Sequence, residues 1–189
     1  MNAWLLPKTA TVGGEEYAIN ADYRDILEVI GYLTDDSRPE FIRWQIALGL
    51  FYDKSIPPEH QGEAMQALAD FISYGAKGNC DKKLLDWQQD ATLIVADVNK
   101  VAGHEVRSLP FLHWWTFLSY FNGIGEGQLS TVVSIRSKLA KGQKLEKWER
   151  EYYLANRETV DLVDKDTLEV KRIKADIYAM FQDSGEGKK

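Results

Sequence analysis

Near the start of the chain, Thr9-Ala10-Thr11-Val12 and Glu15-Glu16-Tyr17-Ala18-Ile19 flank Gly13-Gly14. Two β-type runs joined by a glycine pair predict a β-hairpin, because a two-residue hairpin turn needs positive φ and glycine adopts it without steric cost. A lone hairpin is marginal in water, so its apolar face must lie on something else. After the hairpin the period lengthens to that of a helix. Tyr23, Ile26, Ile30 and Leu33 fall three or four apart behind Asp22, a residue suited to cap a helix start. Phe41, Trp44, Leu48 and Phe51 repeat that spacing after Pro39, which suits a first helical turn.

A third helix is expected after Pro57-Pro58, through Met65, Leu68 and Ile72, ending near Gly75 and Gly78. The longest stripe, Leu84, Trp87, Ala91, Ile94, Val98 and Val101, predicts one helix stopped by Gly103. Pro110 opens the next, with Phe111, Trp114, Leu118 and Phe121 on one face and Gly123-Gly125-Gly127 beyond. Val132, Ile135 and Leu139 make a shorter helix; Leu145, Trp148 and Tyr152 make another, with Gly142 between them. Val170, Ile173, Ile177 and Phe181 suggest a last one. No stripe outlasts about three heptads, which indicates bundle helices and not a long coiled coil. The predicted class is mainly α, a compact helical bundle with a small N-terminal β-hairpin. One helical domain covers 1–162. Residues 163–189 read as a charged linker and tail with that one further stripe and an end expected to be disordered.

A chain of 189 residues suits one domain. Its single cysteine, Cys80, permits no internal disulfide and no zinc site of several thiolates, which fits a reducing compartment. The longest apolar stretch, 46–52, falls far short of the roughly 20 residues of a membrane helix, so no membrane association is expected. The start lacks the basic and apolar regions of a signal peptide. A net charge of −6 argues against a dedicated nucleic-acid binder. The charge is uneven: residues 1–70 hold 5 basic and 12 acidic side chains, a balance of −7. Residues 136–150 carry Arg136, Lys138, Lys141, Lys144, Lys147 and Arg150 against Glu146 and Glu149, a balance of +4. Such a segment is either a solvated helix face or a dock for an acidic surface or a phosphate backbone.

Catalytic constellations are not found. His60, His104 and His113 show no metal-ligand spacing and read as surface or boundary residues. Gly123-Ile124-Gly125-Glu126-Gly127 has no preceding strand and no following Lys-Ser/Thr, so it reads as a helix stop and not a phosphate loop. Asp86 and Asp90 share a helix face, where capping the free N–H groups explains them better than acid–base chemistry. No cofactor or metal is expected. The aromatic run 111–117 stands out. Trp114 and Trp115 are about 100° apart on a helix, so one stripe cannot bury both. The stripe assigns Trp114 to the core and leaves Trp115 as a candidate contact residue.

Several segments in fixed order resemble a known family: 40–48 with Phe51-Tyr52, Ile56-Pro57-Pro58-Glu59-His60, Ala69-Asp70-Phe71-Ile72, Asp86-Trp87-Gln88-Gln89-Asp90-Ala91, Leu112-His113-Trp114-Trp115-Thr116-Phe117, 134–138 and 144–153. From about Pro7 to Leu162 the chain resembles the bacteriophage Gp15-type proteins of Gram-positive phages and prophages, related in role to tail assembly chaperones. The resemblance implies a non-enzymatic protein of the host bacterial cytoplasm that holds the tape-measure protein soluble during tail morphogenesis. It implies the tail-tube protein as a second candidate partner; self-association into a homo-oligomer is a further option. The alternatives are a structural tail-completion component and a prophage regulator that binds nucleic acid, the latter disfavoured by charge. The candidate partner-binding residues are Trp115, Arg136, Lys138, Lys141, Lys144 and Lys147.

Overall fold

The computed structural model describes residues 4–74 and 83–163. The expected last stripe and disordered end, the tail from 164 onward, and Gly75, Gly78 and Cys80 lie outside the described residues. Strands β1 (Thr9–Val12) and β2 (Glu15–Ala18) pair antiparallel with Val12 opposite Glu15. Gly13 and Gly14 therefore make the whole turn, at φ 59° and 82°. The apolar face of the hairpin, Val12 and Tyr17, is buried against the helices, as a marginal two-stranded sheet requires.

The helices are α1 (Tyr23–Leu33), α2 (Glu40–Phe51), α3 (Gln61–Ser73), α4 (Ala91–Ala102), α5 (Trp114–Asn122), α6 (Gln128–Ala140), α7 (Lys147–Ala155) and the single turn α8 (Arg157–Val160). The fold is mainly α with a small N-terminal hairpin, as the periodicity predicts. Asp22 caps α1, its Oδ1 accepting the Arg24 N–H at 3.0 Å, and Gly103 closes α4 at φ 75°.

Three expectations shift. The stripes locate α2 and α3 at a rotated phase: Ala47, Leu48 and Phe51 are buried and Phe41 is exposed, while Ala64, Leu68 and Phe71 replace Met65 and Ile72 as the fully buried face. The helix expected from Leu84 begins only at Ala91. Asp86 takes the N–H groups of Gln88 and Gln89, both at 2.9 Å, and Asp90 takes that of Asp86 at 2.9 Å, closing a tight turn instead. Likewise α5 starts at Trp114 and not at Pro110, leaving Phe111 outside.

The main core joins the hairpin, α1 to α5 and Leu129. Tyr23 stacks on Phe117 at 4.7 Å, and Trp87 meets Trp114 at 5.8 Å and Phe121 at 5.1 Å. A smaller cluster, Val132, Ile135 and Val160 with Leu145, Tyr152 and Tyr153, ties α6, α7 and α8 together. Helix α6 starts beside Asp97 of α4, whose Oδ2 accepts the Leu129 N–H at 3.2 Å. Among the described residues no helix is long and apolar enough to cross a membrane.

Candidate functional site

Local chemistry fixes three walls around one groove. Residues 21–24 and 110–115 are laced together: Tyr23 N–H donates to Leu112 O at 2.9 Å, Trp114 N–H to Ala21 O at 2.7 Å, and Leu112 N–H to Asp22 Oδ2 at 2.9 Å. Burial works to raise the Asp22 carboxyl pKa, but bonds from the Arg24 side chain and from two backbone N–H groups outweigh it and hold the group below its usual range. His113, next in this node, is 3% exposed. Its Nδ1 accepts the Trp115 N–H at 3.1 Å, so Nε2 carries the proton and donates to Pro7 O at 3.0 Å. Burial pushes its pKa down. His113 is therefore a neutral clasp between α5 and the N-terminal segment, not the surface or boundary residue its sequence position suggests.

That clasp lays Leu5 to Pro7 and β1 beside α3. Between them lies an apolar groove of about 390 Å³, lined by Pro7, Thr9, Ala10, Thr11, Ile19, Ala67, Phe71 and Trp115, with Leu5 at its mouth and Asp70 on its rim. Trp115 corrects the expectation from the stripe. It is 3% exposed, stacks on Phe71 at 5.5 Å, and its Nε1–H donates to Phe71 O at 3.0 Å. Trp114, 1% exposed, donates to Ile72 O at 3.0 Å. Both indoles are buried because α5 is covered on two sides, by α3 under Trp115 and by Trp87 and α1 under Trp114 and Phe117. Trp115 reaches the groove only as part of its lining. Sequence reasoning misses Ala67, Asp70 and Phe71: the four-residue spacing of Ala67 and Phe71 on α3 reads as core, and Asp70 as an ordinary exposed residue.

The basic segment also divides. Arg136 is 5% exposed and pairs bidentately with Asp90, Nη1 to Oδ2 at 2.7 Å and Nη2 to Oδ1 at 2.9 Å. Its other donors reach Val160 O at 2.7 Å, Thr159 O at 2.9 Å and Leu84 O at 3.0 Å, so all five guanidinium N–H groups are used internally. Lys138 bonds Glu149 at 2.7 Å, and that bond holds the Glu149 carboxyl below its usual range. Arg136 and Lys138 are thus corrected from candidate contacts to internal partners. Lys141, Lys144, Lys147 and Arg150 remain exposed around the α6–α7 turn, with Trp148 at 58% exposure beside them. Asp86 does not cap a helix as expected: it closes the turn ahead of α4, whose N-cap Asp90 makes no side-chain capping bond. The Asp86 pKa lies at about 2: burial acts to raise it, but Lys83 and the two N–H groups prevail. Asp90 serves Arg136 as well. Among the described residues no group of three or more His, Cys, Asp or Glu side chains could hold a metal ion.

A family model described as Bacteriophage Gp15 protein matches residues 4–162. The chain belongs to the bacteriophage Gp15 protein family. Membership in the Gp15 family points to a phage structural or morphogenesis protein. The match spans the hairpin, the eight helices among the described residues and every wall of the groove in this Gp15 protein. Comparison with curated proteins and with solved structures gives no match.

Proposed function

We propose that this Gp15-family protein is a tail assembly chaperone, which binds the tape-measure protein and keeps it soluble in the host cytoplasm while tail-tube subunits polymerise around it. The observation that carries this reading is the apolar groove floored by Phe71 and Trp115. A tape-measure chain is long, with apolar stripes that aggregate until the tube covers them. A preformed apolar groove on a rigid helical frame shields such stripes at little ordering cost. The exposed cations of the α6–α7 turn, Lys141, Lys144 and Lys147, would steer the encounter with an acidic surface, of the tail-tube protein or of a second copy. Removal of Arg136 and Lys138 from that surface leaves a smaller basic patch on an acidic protein, which supports a protein partner over nucleic acid.

Co-expression with the tape-measure protein of the same phage tests the proposal. The expected result is a higher soluble yield of that protein and co-purification of the two. A tape measure equally soluble alone that never co-purifies overturns it.

A further inference from the structure

The groove has one wall that is not made of side chains. In the hairpin, Ile19 N–H donates to Lys8 O, and Val12 and Glu15 close the two-residue turn. Antiparallel pairing alternates, so Lys8, Ala10 and Val12 direct their backbone groups toward β2, and Thr9 and Thr11 direct theirs the other way. The far edge of β2 is occupied: Ile19 bridges Tyr52, and Asp53 N–H donates to Ala18 O at 3.1 Å. The outer edge of β1 is different. The sheet has two strands, and among the described residues no hydrogen bond involves the backbone N–H or C=O of Thr9 or Thr11 beyond the hairpin. Thr9, Ala10 and Thr11 all line the groove. An unpaired strand edge is a template for another strand.

We infer that β1 binds its partner by strand addition: an extended segment of the partner pairs with Thr9 and Thr11 and sets alternate apolar side chains onto Ala67, Phe71 and Trp115. This rests on the chaperone reading and specifies how the tape-measure protein is held, through an extended stretch between its helical parts. Main-chain bonds supply affinity that tolerates varied sequences, and the apolar floor selects the side chains. Charge selects the occupant. Along α3, Glu63, Ala67 and Asp70 lie on one face, so the apolar α3 wall carries one carboxylate in its lining, Asp70, and a second, Glu63, beyond its end. Glu63 accepts the Gly13 N–H at 2.9 Å at one end, and Asp70 stands on the rim. The segment that fits therefore carries Lys or Arg beside its alternating apolar positions, which disfavours the acidic N-terminal part of a second copy.

The experiment uses the full chain and overlapping synthetic peptides covering the tape-measure protein of the same phage. The tightest-binding peptide is then N-methylated one position at a time. Strand addition predicts that methylation weakens binding at least about tenfold at alternate positions and is tolerated between them. On the protein, Thr11→Pro removes one outward N–H at an edge position that tolerates proline, and should weaken binding about as much with the melting temperature retained. Thr11→Val keeps the N–H and should bind normally. Methylation effects without alternation, or normal binding by a folded Thr11→Pro variant, overturn strand addition. If Ala67→Trp still abolishes binding in that case, the groove is used in another mode and the chaperone reading survives. If the intact tape-measure protein neither co-purifies nor gains solubility, the chaperone reading itself has failed.

Discussion

Replacing Arg136 by methionine separates the buried-node reading from the basic-surface reading. The substitution keeps much of the side-chain volume but deletes all five guanidinium donors. It leaves the Asp90 carboxylate, 1% exposed, without its counter-charge and the carbonyls of Leu84, Thr159 and Val160 without a donor. Removing one partner of a buried ion pair costs about 3–5 kcal/mol, since the remaining charge stays desolvated. For a chain of this size each kcal/mol moves the melting temperature by about 2–4 °C, so a drop of roughly 6–20 °C is expected. Asp90→Leu combined with Arg136→Met should recover only part of the loss: it removes the stranded charge and leaves the three carbonyls unsatisfied. Thermal melts and urea titrations of the single and double variants provide the measurement. An Arg136→Met protein that melts within a degree or two of the parent, and binds its partner less well, would refute the reasoning and return Arg136 to the surface.

Trp114→Ala and Trp115→Ala should both lower stability by about 3–5 kcal/mol in urea unfolding, since each removes a buried indole and a hydrogen bond; a Trp115→Ala melt close to the parent would show that the indole is not held as described. For His113 the sign follows from its lowered native pKa. The unfolded imidazole titrates near 6.5 and the native one lower, so the unfolded state binds more protons in that window. The stabilisation is complete above about pH 6.5 and declines as the pH falls through the window toward the native value. The melting-temperature difference between the parent and His113→Gln should shrink as the pH falls from 7.5 to 5, and a constant difference would contradict the neutral clasp.

Most of the fold was legible because its elements are local. Gly13-Gly14 names its own turn, and the stripes locate α1, α2, α3 and α5 without reference to partners. Errors arose where a distant residue decides. Arg136 reads as one cation in a basic run, and only Asp90, 46 positions earlier, makes it internal. Trp115 reads as the odd indole of a one-sided helix until α3 covers it. The Leu84 to Val101 stripe is continuous, but the side chains of Asp86 and Asp90 outcompete helical bonding for the N–H groups around them. The groove itself left almost no trace, since Ala67 and Phe71 look like ordinary core positions and an open strand edge has no residue signature.

The two adjacent indoles also bear on how the chain reaches its native state. Phe71 and Ile72 lie in the last turn of α3, where carbonyls have no partner within the helix. The Ile72 carbonyl accepts the Trp114 indole N–H from 42 residues away, and the Phe71 carbonyl, which also accepts the Tyr74 N–H at 3.3 Å, takes the Trp115 indole N–H from 44 residues away. The end of α3 thus gains both indole donors only once α5 has docked, and opening α5 withdraws them at the same moment. These two helices are expected to open as one cooperative unit, so that native-state hydrogen exchange finds the amides at the end of α3 and in α5 exchanging together.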